Sequence, residues 1–430
     1  MARLPSLKKP PAAPQPLYLL AINLTRRCNL ACDHCYLDAQ TLQRGSVNEL
    51  SSEEVCTTLD EVARLKTGTM VVLTGGEPLV RRDLEDMINH GANLGLPMVV
   101  GTNGTLLTER RVRSLKQAGT LGVGISVDSL DPQYHDRFRG KPGCWAKTMA
   151  GIEHCRAQQL TFQIHFSITE HNAHELAAII DFSRSAGAKV LNVFFMVCTG
   201  RGESVTDITP QRYEQVIGEL IDAQERFSDL IIRPRCAPYF KRIAHQRRPD
   251  SPLNRISGQE GDGCIAGTHY CRITPQGGVT ACPYISEEVG NIRKQGLTHT
   301  WKHAPTFRSL RRPKLQGKCG SCEYQYLCGG CRARPLAKGG QLMDADPWCY
   351  YLPQGGAVIQ PLRQDELKEI HWTPEAEARL TRVPSFLRHM VKRRAEAYVT
   401  ELGAQQITPE HLATLYSRRF GSGGPGRAKE

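Results

Sequence analysis

An apolar run, Leu17 to Leu24, empties directly into three cysteines spaced C-x3-C-x2-C: Cys28, Cys32 and Cys35. Nothing else in the chain constrains its fold as tightly. A short apolar run of this kind reads as a buried strand, and thiols gathered where such a strand ends are metal ligands in waiting. Three thiolates can hold three irons of a four-iron cluster and leave the fourth open to a small molecule; cysteine is the usual ligand of such clusters. Soft sulfur donors also select zinc. Structural zinc needs a fourth ligand, and His34 would supply it only from a cramped position between Cys32 and Cys35.

The other cysteines bear on the choice. There are sixteen in 430 residues. The segment 1–16 is basic and Pro-rich without an apolar signal core, and reads as a flexible tail. A disulfide framework is therefore not expected; metal binding in a reducing cytoplasm is. No apolar run is long enough to cross a bilayer. The formal charge of +12 is spread without lysine runs or a nucleic-acid motif. It reads as a solvated basic surface that fits an anionic substrate, with no nucleic-acid partner.

Strand-like and helix-like segments alternate after the triplet. Strands are expected at 17–24, 70–73, 97–100, 122–127, 162–168 and 190–197. Helices are expected at 51–66, opened by the capping box Ser51-x-x-Glu54, and at 83–94, 108–118, 145–158 and 173–185. Such alternation predicts parallel strands with right-handed crossovers. The notable motifs follow strands, as in a barrel with its functional loops at the strands' C-terminal ends. Gly75-Gly76-Glu77 lets backbone approach a ligand beside a carboxylate. Gly101-Thr102-Asn103-Gly104 follows the third strand, Ser126-Val127-Asp128 closes the fourth, and Arg137 offers a carboxylate-binding fork soon after. Each also reads as an ordinary polar turn or an exposed side chain.

A helix at 213–227 and a loop around Arg233–Pro238 lead out of this region. Eight cysteines then fall between 264 and 349: Cys264, Cys271, Cys282, Cys319, Cys322, Cys328, Cys331 and Cys349. Eight ligands suit two fully ligated four-iron clusters or two zinc sites. Cys56, Cys144 and Cys155 read as small core residues; Cys198 and Cys236 are candidates to face a substrate.

Taken together, these motifs resemble the radical S-adenosylmethionine (SAM) enzymes that carry a SPASM auxiliary-cluster domain. The resemblance implies an α/β fold: a partial (β/α)6 TIM-like barrel over 17–235 and a SPASM domain over 236–355; beyond it, a small helical domain over 365–421 and a disordered tail over 422–430 are expected from the residues themselves. It implies a [4Fe-4S] cluster on Cys28, Cys32 and Cys35. SAM would be held by Gly75, Gly76 and Glu77, with Asn103, Ser126, Asp128 and Arg137 lining its site and His34 near the adenine. By the same resemblance Cys264, Cys271, Cys282 and Cys331 hold one auxiliary cluster, and Cys319, Cys322, Cys328 and Cys349 the other. Segments such as Cys282-Pro283-Tyr284 and Cys328-Gly329-Gly330-Cys331 are similar to the haem-biosynthesis branch, whose members modify propionates of iron tetrapyrroles. The implied partners are an iron tetrapyrrole substrate and an electron donor such as ferredoxin or flavodoxin. A peptide-modifying maturase and a non-catalytic electron carrier are the other readings.

The C-terminal segment carries an apolar stripe, Leu387, Val391, Ala395, Tyr398 and Leu402, on a helix expected from about Pro384 to Leu402. Gly403 stops it, and a further helix starts at Thr408-Pro409-Glu410. This segment resembles the small domain ending a subunit of light-independent protochlorophyllide reductase.

Overall fold

The computed structural model describes residues 16–39, 47–65, 67–205, 208–251, 254–256 and 263–360, and part of 362–420. Six expected strands form: β1 (Leu19–Asn23), β2 (Met70–Thr74), β3 (Met98–Thr102), β4 (Gly122–Ser126), β5 (Phe162–Ile168) and β6 (Val190–Phe195). They lie side by side in chain order and all parallel. Between them run α1 (Ser52–Arg64), α2 (Leu84–Asn93), α3 (Glu109–Gln117), α4 (Pro132–Phe138), α5 (Cys144–Ala157) and α6 (Leu176–Ser185).

The local chemistry explains the boundaries. Ser51 accepts from the Glu54 N–H while the Glu54 carboxylate accepts from the Ser51 N–H, which closes the capping box of α1. Thr108 caps α3 with its side-chain oxygen, which accepts from the Arg111 N–H. On β5, Phe162, Ile164, Phe166 and Ile168 are buried toward the helices, while Gln163, His165 and Ser167 alternate onto the inner face.

One expected loop is a strand. Ile231–Arg235 pairs parallel with β6 as β7, after helix α7 (Pro210–Arg226). Its proline and two arginines hide it from pattern reading, and it is an edge strand, where a missing N–H is tolerated. The cysteine-rich region extends the same sheet. Tyr270–Ile273 (β8) pairs parallel with β1, and β9 (Gly278–Thr280) and β10 (Gly290–Asn291) add antiparallel strands beyond it. The sheet has ten strands, ordered β10-β9-β8-β1-β2-β3-β4-β5-β6-β7.

By its contacts the chain divides into two units, residues 1–361 and 362–430. The second has its own small core of Ala376, Ala395, Val399 and Ile407, between helices Pro374–Thr381 and Pro409–Phe420 and the paired segments His371–Trp372 and Gln406–Ile407. Of the expected stripe, Leu387 lies outside the described residues, as does Gly403. Leu402 is 55 % exposed and Val399 is buried instead, four residues after Ala395. Among the described residues no helix is long and apolar enough to cross a membrane.

Candidate active site and cysteine centres

Cys28, Cys32 and Cys35 sit in the loop after β1, braced by the loops that follow its neighbours. The glycines of the β2 loop are required by contact with this loop. A Cβ on Gly76 would lie 2.1 Å from the Arg27 carbonyl oxygen, and one on Gly75 2.7 Å from that of Thr25. The Gly76 and Glu77 N–H groups donate to those two residues, Gly76 to Thr25 and Glu77 to Arg27, each at 2.8 Å. From the β3 loop, Asn103 Nδ2 donates to Asn29 Oδ1 at 2.8 Å and lies 4.0 Å from Cys28 Sγ. The glycine-rich loop after β6 closes the far side: Arg201 donates to the Cys32 and Ala39 carbonyls at 3.0 and 2.8 Å. Burial pushes the Cys28 thiol up to about 12 and raises that of Cys32. Bound metal is what would hold them as thiolates near neutrality.

Glu77 has a different place from the one the sequence suggests. Its carboxylate is fully buried and accepts from Leu79 N–H (3.0 Å), Thr102 Oγ1 (2.8 Å) and Asn103 N–H (2.8 Å). Burial pushes its pKa up to about 7 against those hydrogen bonds. The side chain is a strut tying the β2 loop to the β3 loop. Oε1 accepts two of these bonds and Oε2 one.

Asp128 is likewise internal. It pairs with Arg139 at 2.5 Å, lies 3.8 Å from His34 Nε2 and accepts from the Ser167 N–H. Burial opposes its charge, but Arg139 and then His34 hold its pKa below the usual range. His34 stacks on Phe138 at 4.4 Å, which covers one face of its ring, and burial lowers its pKa to about 4. Ser126 ends β4 in register with His165.

Arg137 is not in this group. It is exposed on α4, its guanidinium 6.0 Å from the Tyr134 ring. The arginine that enters is Arg139, which is 6 % exposed; its Nη1 lies 3.8 Å from Cys32 Sγ. A periodic signal was there to be read. His135, Phe138 and Arg139 share a helical face at i, i+3 and i+4, and Arg137 falls off it.

The second cysteine field forms two groups. Cys319, Cys322, Cys328 and Cys349 line one pocket with Arg242 and Lys318, as grouped from the sequence. Main-chain N–H groups of Asp346, Tyr324 and Gly330 donate to the sulfurs of Cys319, Cys322 and Cys328, each at 3.4 Å.

The other group departs from expectation. Cys282 lies within electrostatic reach of Cys236, Cys331 and Cys264, and Cys331 within reach of Cys264 and Cys236. Cys236 feels Cys264 and hydrogen-bonds with Tyr284, and burial pushes its pKa up to about 11. Its φ of 59° is in the left-handed region, where a non-glycine residue carries strain. Cys271 is elsewhere. Alternation on β8 turns Tyr270 toward Cys282 and sends Cys271 to the opposite face, into the core with Arg311 nearby. Cys236 thus stands where Cys271 was expected.

Each group brings four thiols together, the number a fully ligated four-iron cluster takes. Among the described residues no trio of His, Cys, Asp or Glu closes tightly enough to grip a single metal, whereas zinc requires sulfurs at about 2.3 Å. Asp346 couples the groups: it accepts from the Cys331 N–H at 2.7 Å and donates its own to Cys319 Sγ. Of the remaining cysteines, Cys144 and Cys155 are buried, Cys56 is half-buried, and Cys198 Sγ lies 3.8 Å from the Val205 carbonyl.

A parallel partial barrel with a cysteine triplet after its first strand and a glycine loop after its second defines a class. The chain belongs to the radical SAM superfamily, whose pattern matches residues 22–183. Residues 264–323 match the "Iron-sulfur cluster-binding domain" called SPASM, and 372–415 match "Proto-chlorophyllide reductase 57 kD subunit". Within the class, the chain is 36% identical over 341 residues to the AdoMet-dependent heme synthase of Methanosarcina barkeri, covering 78% of this chain and 97% of that protein. That places it in the branch to which the synthase belongs. A mycofactocin maturase of Mycobacterium ulcerans is 29% identical, with 77% and 87% covered. Streptococcus suis SuiB bound to S-adenosylmethionine shares the fold with a TM-score of 0.63 at 17% identity, covering 79% of this chain and 78% of that one. The protein is thus an enzyme of the radical SAM class, with SAM and [4Fe-4S] clusters as cofactors.

Proposed function

We propose that the enzyme modifies propionate side chains of an iron tetrapyrrole, decarboxylating or removing them, in haem or d-type haem formation. The observation that carries this is the 36% identity extending over nearly the whole of an AdoMet-dependent heme synthase. Cys28, Cys32 and Cys35 would hold the SAM-binding cluster. Cys236, Cys264, Cys282 and Cys331 would hold one auxiliary cluster, and Cys319, Cys322, Cys328 and Cys349 the other. Loaded, the first site supplies a carbon-centred radical that takes a hydrogen atom from the substrate.

The chain's own part is to place and enclose. Main chain at Gly75 and Gly76 gives close approach to the SAM amino group. Glu77 and Asn103 fix the loops around it, and Arg139 sets positive charge beside Cys32. In decarboxylation the side chain –CH2–CH2–COO⁻ gives up one hydrogen atom, carbon dioxide and one electron to leave –CH=CH2. The electron needs an acceptor, a task suited to the auxiliary groups and a carrier such as ferredoxin or flavodoxin.

The test is anaerobically reconstituted, reduced protein given SAM and iron-coproporphyrin. Loss of carbon dioxide and two hydrogens per side chain, with 5′-deoxyadenosine formed in step, is the expected result. Deoxyadenosine with unchanged porphyrin would overturn the substrate. The similarity to a mycofactocin maturase favours peptide modification as the second reading, and a precursor peptide would then replace the porphyrin.

A further inference from the structure

Strand alternation that buries Ile232, Phe166, Leu191 and Ile273 among the helices turns a different set of residues to the inside of the sheet. From β5 to β8 that inner face carries His165, Asn192, Arg233, Arg235, Tyr270 and Arg272, and no carboxylate stands at an inner position of these strands. Gly124 on β4 makes room for His165: a Cβ there would lie 2.5 Å from its ring.

Two of the arginines are held in fixed orientation. Arg272, 5 % exposed, donates through Nε to Thr280 Oγ1 and through Nη1 to the Pro283 carbonyl, each at 3.0 Å. It has no ion-pair partner among the described residues. Arg235 is oriented by Asn192 Oδ1 at 2.8 Å and immediately precedes Cys236. Beside Arg272 is an aromatic wall. Tyr36, next to Cys35, meets Tyr284, next but one to Cys282, with ring centroids 5.6 Å apart. Arg272 lies 5.9 Å from the Tyr36 ring. Tyr36 is within electrostatic reach of both Cys35 and Cys282, so the wall spans from the first cysteine centre to the second.

We propose that this inner face is a binding site for a flat, carboxylate-bearing ligand, with Arg272 and Arg235 clamping its carboxylates and Tyr36 and Tyr284 lining its plane. The inference rests on the tetrapyrrole reading and names the residues that would select its propionates. A buried guanidinium without a carboxylate is costly, and its fork matches a carboxylate in two parallel hydrogen bonds. Aromatic edges and faces complement an extended π-system. A ligand seated there lies between the two cysteine centres, where a side chain can lose hydrogen on one side and an electron on the other.

The experiment titrates the fully reconstituted enzyme with iron-coproporphyrin and separately with its tetramethyl ester, following the porphyrin absorption band. Arg272→Gln should weaken binding of the acid about ten- to a hundredfold and leave the weaker binding of the ester unchanged; Arg272→Lys should recover part of the loss. Arg235→Gln, read in the same way, serves should Arg272→Gln fail to retain wild-type iron. Variants that bind the acid as wild type does, or that lose acid and ester equally, overturn the clamp and leave the tetrapyrrole reading standing. Wild-type enzyme that binds neither overturns that reading and the clamp with it.

Discussion

The cysteine centre after β1 and the one built around Cys236 are assembled in opposite ways. Cys28, Cys32 and Cys35 come from a single loop, and neighbouring loops only brace them. Cys236, Cys264, Cys282 and Cys331 come from four separate places: the end of β7, the approach to β8, the end of β9 and the second cysteine field. In the first, local spacing sets the ligand geometry. In the second, topology sets it, and a cysteine close in sequence is excluded because its strand faces the other way.

The sharpest test of the local centre is Cys32→Ala, which should reduce 5′-deoxyadenosine formation to background in an anaerobic assay with SAM and dithionite. The dispersed centre is tested by iron analysis. Cys236→Ala should lower bound iron by about four atoms per chain. Cys271→Ala should leave the iron unchanged and cost ~1–2 kcal/mol of stability as a trimmed core side chain. The reverse pattern would restore the ligand set that the sequence suggested.

The bracing of the first centre can be broken without touching a cysteine. Arg139→Gln leaves Asp128 buried without its partner, a change worth ~3–5 kcal/mol. Arg137→Gln, on the exposed side of α4, should stay within ~0.5 kcal/mol. Denaturant unfolding of the two variants side by side reads the difference.

A smaller effect lies where the extended sheet meets α1. Arg293 donates to the Glu54 carboxylate, and this bond, helped by Ser51, holds the Glu54 pKa at about 2, below its ordinary 4.5. Its stabilisation is therefore complete above about pH 4.5 and is lost as pH falls toward 2. Partial exposure screens the pair, so Glu54→Gln should cost only about 1 kcal/mol near neutrality. The variant should also lack that part of the acid-side slope in pH-dependent melting.

What could be read in advance follows the same division. The alternating apolar runs placed six strands of the barrel within a residue or two, because strand burial is a local pattern. β7 was missed because Pro234 and its arginines suit an edge with a polar inner face rather than a buried run. The triplet and the glycine loop were legible as spacing and order. Arg137 is exposed and Arg139 turns toward Cys32, since a motif names a neighbourhood and helix phase decides which side chain enters it. The resemblance points to Cys271, whereas the structure gathers Cys236 with Cys264, Cys282 and Cys331, because a family match does not say which face of a strand a residue takes. Glu77 was found, but its burial under donors from a loop 25 residues away could not be.

The meeting of Cys236 with Cys282 has a consequence for durability. These residues follow β7 and β9, strands toward opposite ends of one curved sheet, so the sulfur centre that joins them also closes the wall around the inner face. Thiolates and the clusters they hold are among the first groups an oxidant attacks. On the proposed ligand set, damage there would part β7 from β9 and remove the proposed electron outlet in one event. The joint would then act as a fuse, disarming the enzyme at the moment it loses the means to contain a radical.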